Sequence, residues 1–149
     1  MSRARLRAGS LRRKLGLCGR VDIEAVANAE GLEVWLRDFE VQKEMQVDGH
    51  IAVARRLEPE WRRWVIAHAI GHRLMHPGNH LELRDHSDLP HPWEREAEEF
   101  AHVVLIDEKE ALDAGFVYAW EVAEHFGVPA EVVRVQARLP ENGDGSWWS

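Results

Sequence analysis

The chain has 149 residues, 45% of them hydrophobic and 30% charged, with a formal net charge of −7, which fits one globular domain with a real core. No apolar run is long enough to cross a membrane, the basic N-terminus lacks the apolar stretch of a secretory signal, and the single cysteine, Cys18, excludes an intrachain disulfide framework. A cytoplasmic protein with no membrane partner is expected.

The charge is unevenly spread. Residues 1–20 hold seven Lys or Arg and no acid, leaving 12 basic and 26 acidic groups, a net of −14, in the remainder. An acidic body repels nucleic-acid phosphates, so no direct nucleic-acid contact is expected, and the basic segment reads as a solvated first helix or arm.

That helix spans about 3–17, with Leu6, Leu11 and Leu15 as its apolar stripe. Asp22 is an N-cap for a helix over 23–30 that Gly31 closes. Residues 32–39 alternate as a strand, with Leu32, Val34 and Leu36 on one face. A second strand runs over about 46–53, with Asp48-Gly49 as a turn or bulge within it. These strands predict a small antiparallel sheet. Pro59 suits the first position of a long helix reaching Met75, which Pro77-Gly78-Asn79 stops. Residues 77–92 read as loop. A strong helix follows over 93–106, and shorter ones over 108–114, 119–126 and 129–139. Residues 140–149 read as a flexible polar tail in which Trp147 and Trp148 offer an anchor. One domain over 1–139 is the expected organisation.

Six of the nine histidines fall between 68 and 91. His68, His72, His76 and His80 repeat at intervals of four, and the first pair shares one face of the long helix. The surrounding run, Trp64 to Ile70, is almost wholly apolar, so these histidines are buried and need partners, which a shared zinc ion supplies. A catalytic zinc takes three protein ligands and keeps a fourth position for water. The metzincin spacing would supply the third through Gly at 75 and His at 78, but the chain has Met75 and Gly78. Glu94 and Glu98 share a face of the next helix. One can ligate the metal while the other holds a ligating histidine through its second ring nitrogen.

His68-Ala69-Ile70-Gly71-His72-Arg73-Leu74-Met75-His76, followed by Glu94-Arg95-Glu96-Ala97-Glu98-Glu99-Phe100-Ala101, resembles the ImmA/IrrE family of metallopeptidases. That family pairs HE-x-GH-xx-LH with a later E-x-E-A-N-x-F-A helix. The segment from Ala123-Glu124-His125-Phe126-Gly127-Val128 to Arg138-Leu139 resembles its C-terminal helices, so the likeness covers about 22–139. It implies an α+β zincin-like fold, a small antiparallel sheet packed against a helical layer that carries the HxxxH helix. It also implies one zinc per chain on His68, His72 and Glu94, with Glu98 and His76 in supporting contact. The implied activity is cleavage of a helix-turn-helix repressor, relieving repression of phage, mobile-element or stress genes.

Two positions depart from the family pattern. Glu98 replaces its asparagine, and Ala69 replaces the glutamate that takes a proton from water and passes it to the leaving amine. Ala69 is either an inactivating substitution in a working endopeptidase, the favoured reading, or the mark of a natural pseudoprotease, a metal-stabilised regulator that binds without cutting. His76 is expected to pack near the helix end, and His80, His86 and His91 to lie solvated in the loop. Tyr118, the only tyrosine, is a candidate oxyanion donor on chemistry alone. Cys18 is expected to be inert.

Overall fold

A computed structural model describes residues 2–38, 44–47, 49–76, 80–82 and 91–136. In chain order these form α1 (Arg3–Leu15), α2 (Ile23–Ala29), β1 (Glu33–Arg37), β2 (Glu44–Val47), β3 (His50–Ala54), α3 (Pro59–Met75), β4 (His80–Glu82), α4 (His91–Leu105), α5 (Glu108–Asp113), α6 (Ala119–Phe126) and α7 (Ala130–Gln136). The architecture is α+β, as expected. The expected tail, 140–149, lies outside the described residues.

The sheet differs from expectation. Its order is β1-β3-β2-β4, with β2 antiparallel to β3 and β4 but β1 parallel to β3. The expected antiparallel sheet is therefore mixed. The single strand foreseen over 46–53 is a hairpin instead. Val47 pairs with His50, and Gly49 between them has φ 83, a left-handed conformation that glycine adopts without a Cβ penalty. This hairpin lays β3, the most apolar strand, between β2 and β1. Val34 and Leu36 of β1 share a face with Ile51 and Val53 of β3 and point into the core. On the opposite face Trp35 lies beside His50, with the Arg37 guanidinium over its ring. A further strand, β4, occupies part of the stretch read as loop, and His80 belongs to it. His91 opens α4, while His86 lies outside the described residues.

Helix α3 begins with Pro59 at its first turn, where the missing N–H costs nothing. Every residue from Trp64 to His72 is buried, because the sheet packs on one side of α3 and α4 on the other. Gly71 faces Phe100 of α4 so closely that a Cβ there would lie 3.0 Å from the Phe100 ring. Arg63, on the same helix, donates to the carbonyl oxygens of Phe126, Gly127 and Val21, which ties the end of α6 to α3.

Helix α1 packs on α4 through only part of the foreseen stripe, since Leu11 is buried and Leu15 packs against the core but Leu6 does not. Ala4, Ala8 and Leu11 are its buried residues, and Leu6 is exposed. The small side chains of Ala4 and Ala8, four apart, allow close approach, and arginines reach over them to acids. Arg3 pairs with Glu96 and Arg5 with Glu99, while Arg12 pairs with Asp107 and donates to the Val104 carbonyl. The basic segment thus neutralises the acidic flank of α4 rather than standing alone in solvent.

His102, fully buried on α4, has no hydrogen-bond partner for Nε2 among the described residues. Burial, reinforced by the Arg5 charge, pushes its imidazole down to about 4. The unfolded chain therefore takes up this proton as pH falls through the ordinary histidine range, while the folded chain resists until about 4. The stabilisation is complete above that range and is lost as pH falls toward 4. His102→Leu should remove up to about 3 kcal/mol of the parent's loss of stability between pH 7 and 4. Urea denaturation of both proteins at the two pH values measures it, and parallel losses would count against this origin.

Candidate metal centre

Two adjacent turns of α3 and the first turn of α4 supply the site. His68 and His72 stand four residues apart on the buried face of α3, their rings edge to face at 4.7 Å. Glu94 reaches across from α4, with Oε1 2.8 Å from His72 Nε2 and Oε2 3.3 Å from His68 Nε2. One ligand atom from each of the three residues lies within 4.8 Å of the others. Tetrahedral ligands about 2.0–2.1 Å from zinc stand roughly 3.3 Å apart, so small adjustments seat one ion among them.

Protonation favours the same use. Burial works against the Glu94 carboxylate, but hydrogen bonds and charge from His68 and His72 outweigh it and hold Glu94 well below the usual carboxylate range. Burial pushes the His72 imidazole down despite the Glu94 hydrogen bond. A carboxylate and a neutral imidazole are the states a metal needs in its ligands. Two imidazole nitrogens and one carboxylate match the donor set of catalytic zinc sites.

Behind these three residues runs a polar chain only partly foreseen from sequence. His76, at the C-cap of α3, is buried and stacks on Trp93 with ring centres 4.6 Å apart. Its Nδ1 lies 2.8 Å from His72 Nδ1, and its Nε2 lies 3.2 Å from Glu96 Oε1. Arg3 of α1 then grips Glu96 with two hydrogen bonds of 2.9 Å. Burial alone would raise the Glu96 carboxyl, yet Arg3 and His76 hold it below its ordinary value. Glu96 and Arg3 were missed in the sequence. The Glu-x-Glu spacing was visible, but helical periodicity ties Glu94 to Glu98 rather than to Glu96. Glu98 lies one turn beyond Glu94, half-buried. Ala69 is fully buried. Tyr118 sits at the head of α6, where its N–H donates to Glu121. It makes no hydrogen bond or ring contact with His68, His72 or Glu94 among the described residues.

Comparison with known proteins bears on the family and the fold. The model of the IrrE N-terminal-like domain, Peptidase_M78, matches residues 26–138. That match takes in the sheet and helices α3 to α7 but not α1. A search of curated proteins finds no match. Among solved structures the chain is similar to a Mycobacterium tuberculosis transcriptional regulator, with a TM-score of 0.64 and 15% identity over 96% of this chain. The chain spans about half that protein's length, 48%, and at this identity the likeness establishes the fold alone.

The close approach at Gly71 brings Glu94 within reach of the histidines. Gly→Ala inside a helix normally gains about 1 kcal/mol. Here the new Cβ would meet Phe100, which is fully buried and has little room to yield. Gly71→Ala should destabilise the fold by about 1–3 kcal/mol and weaken metal binding. Denaturant unfolding with a zinc titration tests this, and a variant at least as stable as the parent would show that the approach is not tight.

Proposed function

The chain belongs to the IrrE N-terminal-like domain family, Peptidase_M78, and from that membership we propose a zinc metallopeptidase that acts on a helix-turn-helix transcriptional repressor and is disabled at its general base by Ala69. The observation that carries the proposal is the convergence of His68 and His72 from α3 with Glu94 from α4 on a volume fit for one ion. Zinc, when bound, polarises water and a peptide carbonyl. His68, His72 and Glu94 hold it, and His76 and Glu96 orient His72 from behind. The methyl group of Ala69 accepts no proton, so the transfer from water to the leaving amine has no carrier. Such transfers contribute about 10²–10⁴-fold in rate.

Substrate capture has two supports. The outer strands β1 and β4 each leave one edge unpaired by another strand among the described residues, and an extended peptide can add to such an edge. The net charge of −14 beyond residue 20 suits the basic DNA-binding face of a repressor. The description of the structural neighbour as a transcriptional regulator is in keeping with a role in transcriptional control. Among the described residues no helix is long and apolar enough to cross a membrane.

A second role, binding without cleavage, is favoured by the setting of Ala69. It is fully buried within the apolar core, where a carboxylate needs a compensating charge.

Tag-free protein should carry about one zinc per chain, and chelation should lower its melting temperature. Less than about half an equivalent, with no thermal response to chelator, would remove the metal centre. Ala69→Glu should then confer zinc-dependent cleavage of a repressor that the parent binds, in assays starting from any helix-turn-helix protein encoded beside it. Binding should weaken as salt rises. A zinc-loaded Ala69→Glu protein that still cuts nothing would leave the binding role in place of the peptidase.

A further inference from the structure

Helix α1 lies outside the segment that the family model matches, yet Arg3 stands at the end of an unbroken polar chain that finishes on a proposed metal ligand. We infer that Arg3 and Glu96, acting through His76, are positioning residues for His72: they keep the proton of a metal-bound His72 on Nδ1 and so turn its Nε2 to a cation shared with Glu94. This rests on the metal centre proposed above and adds a tuning element to it.

With a cation seated between His72 Nε2 and Glu94, the hydrogen-bond inventory decides the proton positions. Glu96, an ionised carboxylate gripped by two Arg3 donors, can only accept. His76 Nε2, facing it at 3.2 Å, therefore carries the proton, and a neutral His76 keeps a lone pair on Nδ1. The contact of 2.8 Å between the two Nδ1 atoms then requires the proton on His72. His72 Nε2, which meets Glu94 Oε1 through its proton in the metal-free chain, is then left with the lone pair that a cation shared with Glu94 takes up. Each ring has little freedom to depart from this. His72 and His76 are buried, and His76 lies nearly parallel to Trp93, with 4° between the planes. A ligating histidine whose second nitrogen donates to a fixed acceptor gains basicity and a set orientation. Here the fixed acceptor is another histidine, anchored in turn through Glu96 to the first turn of α1.

Neighbouring contacts provide the control. Arg5 also joins α1 to α4, through Glu99 at 3.0 Å, but Glu99 is no member of the chain that ends on His72. If Arg3 only docks the helix, the two arginines are equivalent. If it positions His72, they are not.

The test uses the full chain and zinc alone, with affinity read by competition against a chromophoric chelator and folding checked by thermal melting. Glu96→Leu should weaken zinc binding about 10- to 100-fold. Glu96→Gln, whose side-chain carbonyl still accepts from His76 Nε2–H, should restore most of that loss. Arg3→Met should cost about two- to fivefold, since the pair is partly exposed, and Arg5→Met should leave affinity unchanged. Ring ¹⁵N shifts of the zinc-loaded parent should show His76 protonated at Nε2 and bare at Nδ1, a readout that holds even if Glu96→Leu fails to fold. Parental affinity in a folded Glu96→Leu, equal losses in the two arginine variants, or the opposite His76 tautomer would each overturn the inference while zinc binding by the parent stands. Failure of the parent to bind zinc would overturn the metal centre and the positioning role with it.

Discussion

The approach of α4 to α3 at Gly71 is the constraint on which the site depends. Without a Cβ at 71, Phe100 packs directly against the α3 backbone, and the two axes come close enough for Glu94 to reach His68 and His72. The same closeness seals the apolar body of α3, from Trp64 to His72, between the sheet and α4. Two histidines buried in such a body would carry a heavy desolvation cost if nothing met their ring nitrogens. Core packing and the carboxylate that answers those nitrogens are therefore one arrangement, not two.

Around this centre, charge does a second job. The N-terminal segment carries seven of the chain's basic residues and no acid. Much of that charge is met inside the molecule, where Arg3, Arg5 and Arg12 lie on acids of α4 and the residues just after it. Such partly exposed pairs are individually weak. They set the placement of α1 over α4, while Ala4, Ala8 and Leu11 supply the apolar contact. The ordering of α1 matters to the site because Arg3 and Glu96 form the outer end of the chain that reaches His72.

Much of the helical layer was legible in the sequence. The 3.6-residue pattern, Pro59 at the head and the Pro-Gly-Asn stop delimited α3 to the residue, and α6 was bounded equally well. These signals are local: a cap, a breaker and a period act within a turn or two. The sheet was less legible. The hairpin sequence was visible at Asp48-Gly49, but nothing local states that β3 inserts beside β1 in parallel, because that depends on where the most apolar strand finds cover on both sides. Strand β4 has three residues, too few for an alternation to declare itself. On α1, leucine outranked alanine as the marker of a buried stripe. The structure buries the alanines, since the partner helix needs room more than it needs bulk.

By itself, the sequence determined the fold class, the positions of α3 and α4 and the pair His68 and His72, while family resemblance pointed to Glu94 as the third acid and to Ala69 as the position where the family pattern has a glutamate. Those features are written in spacing along one helix or in residue identity, which need no third dimension. Only the tertiary structure decided that Glu96 stands behind His76, that Arg3 reaches the same cluster from 93 residues away, and that the sheet is mixed. The physical reason is common to all three. Each depends on how separate elements are rotated and seated against one another, and periodicity within one element carries no information about that.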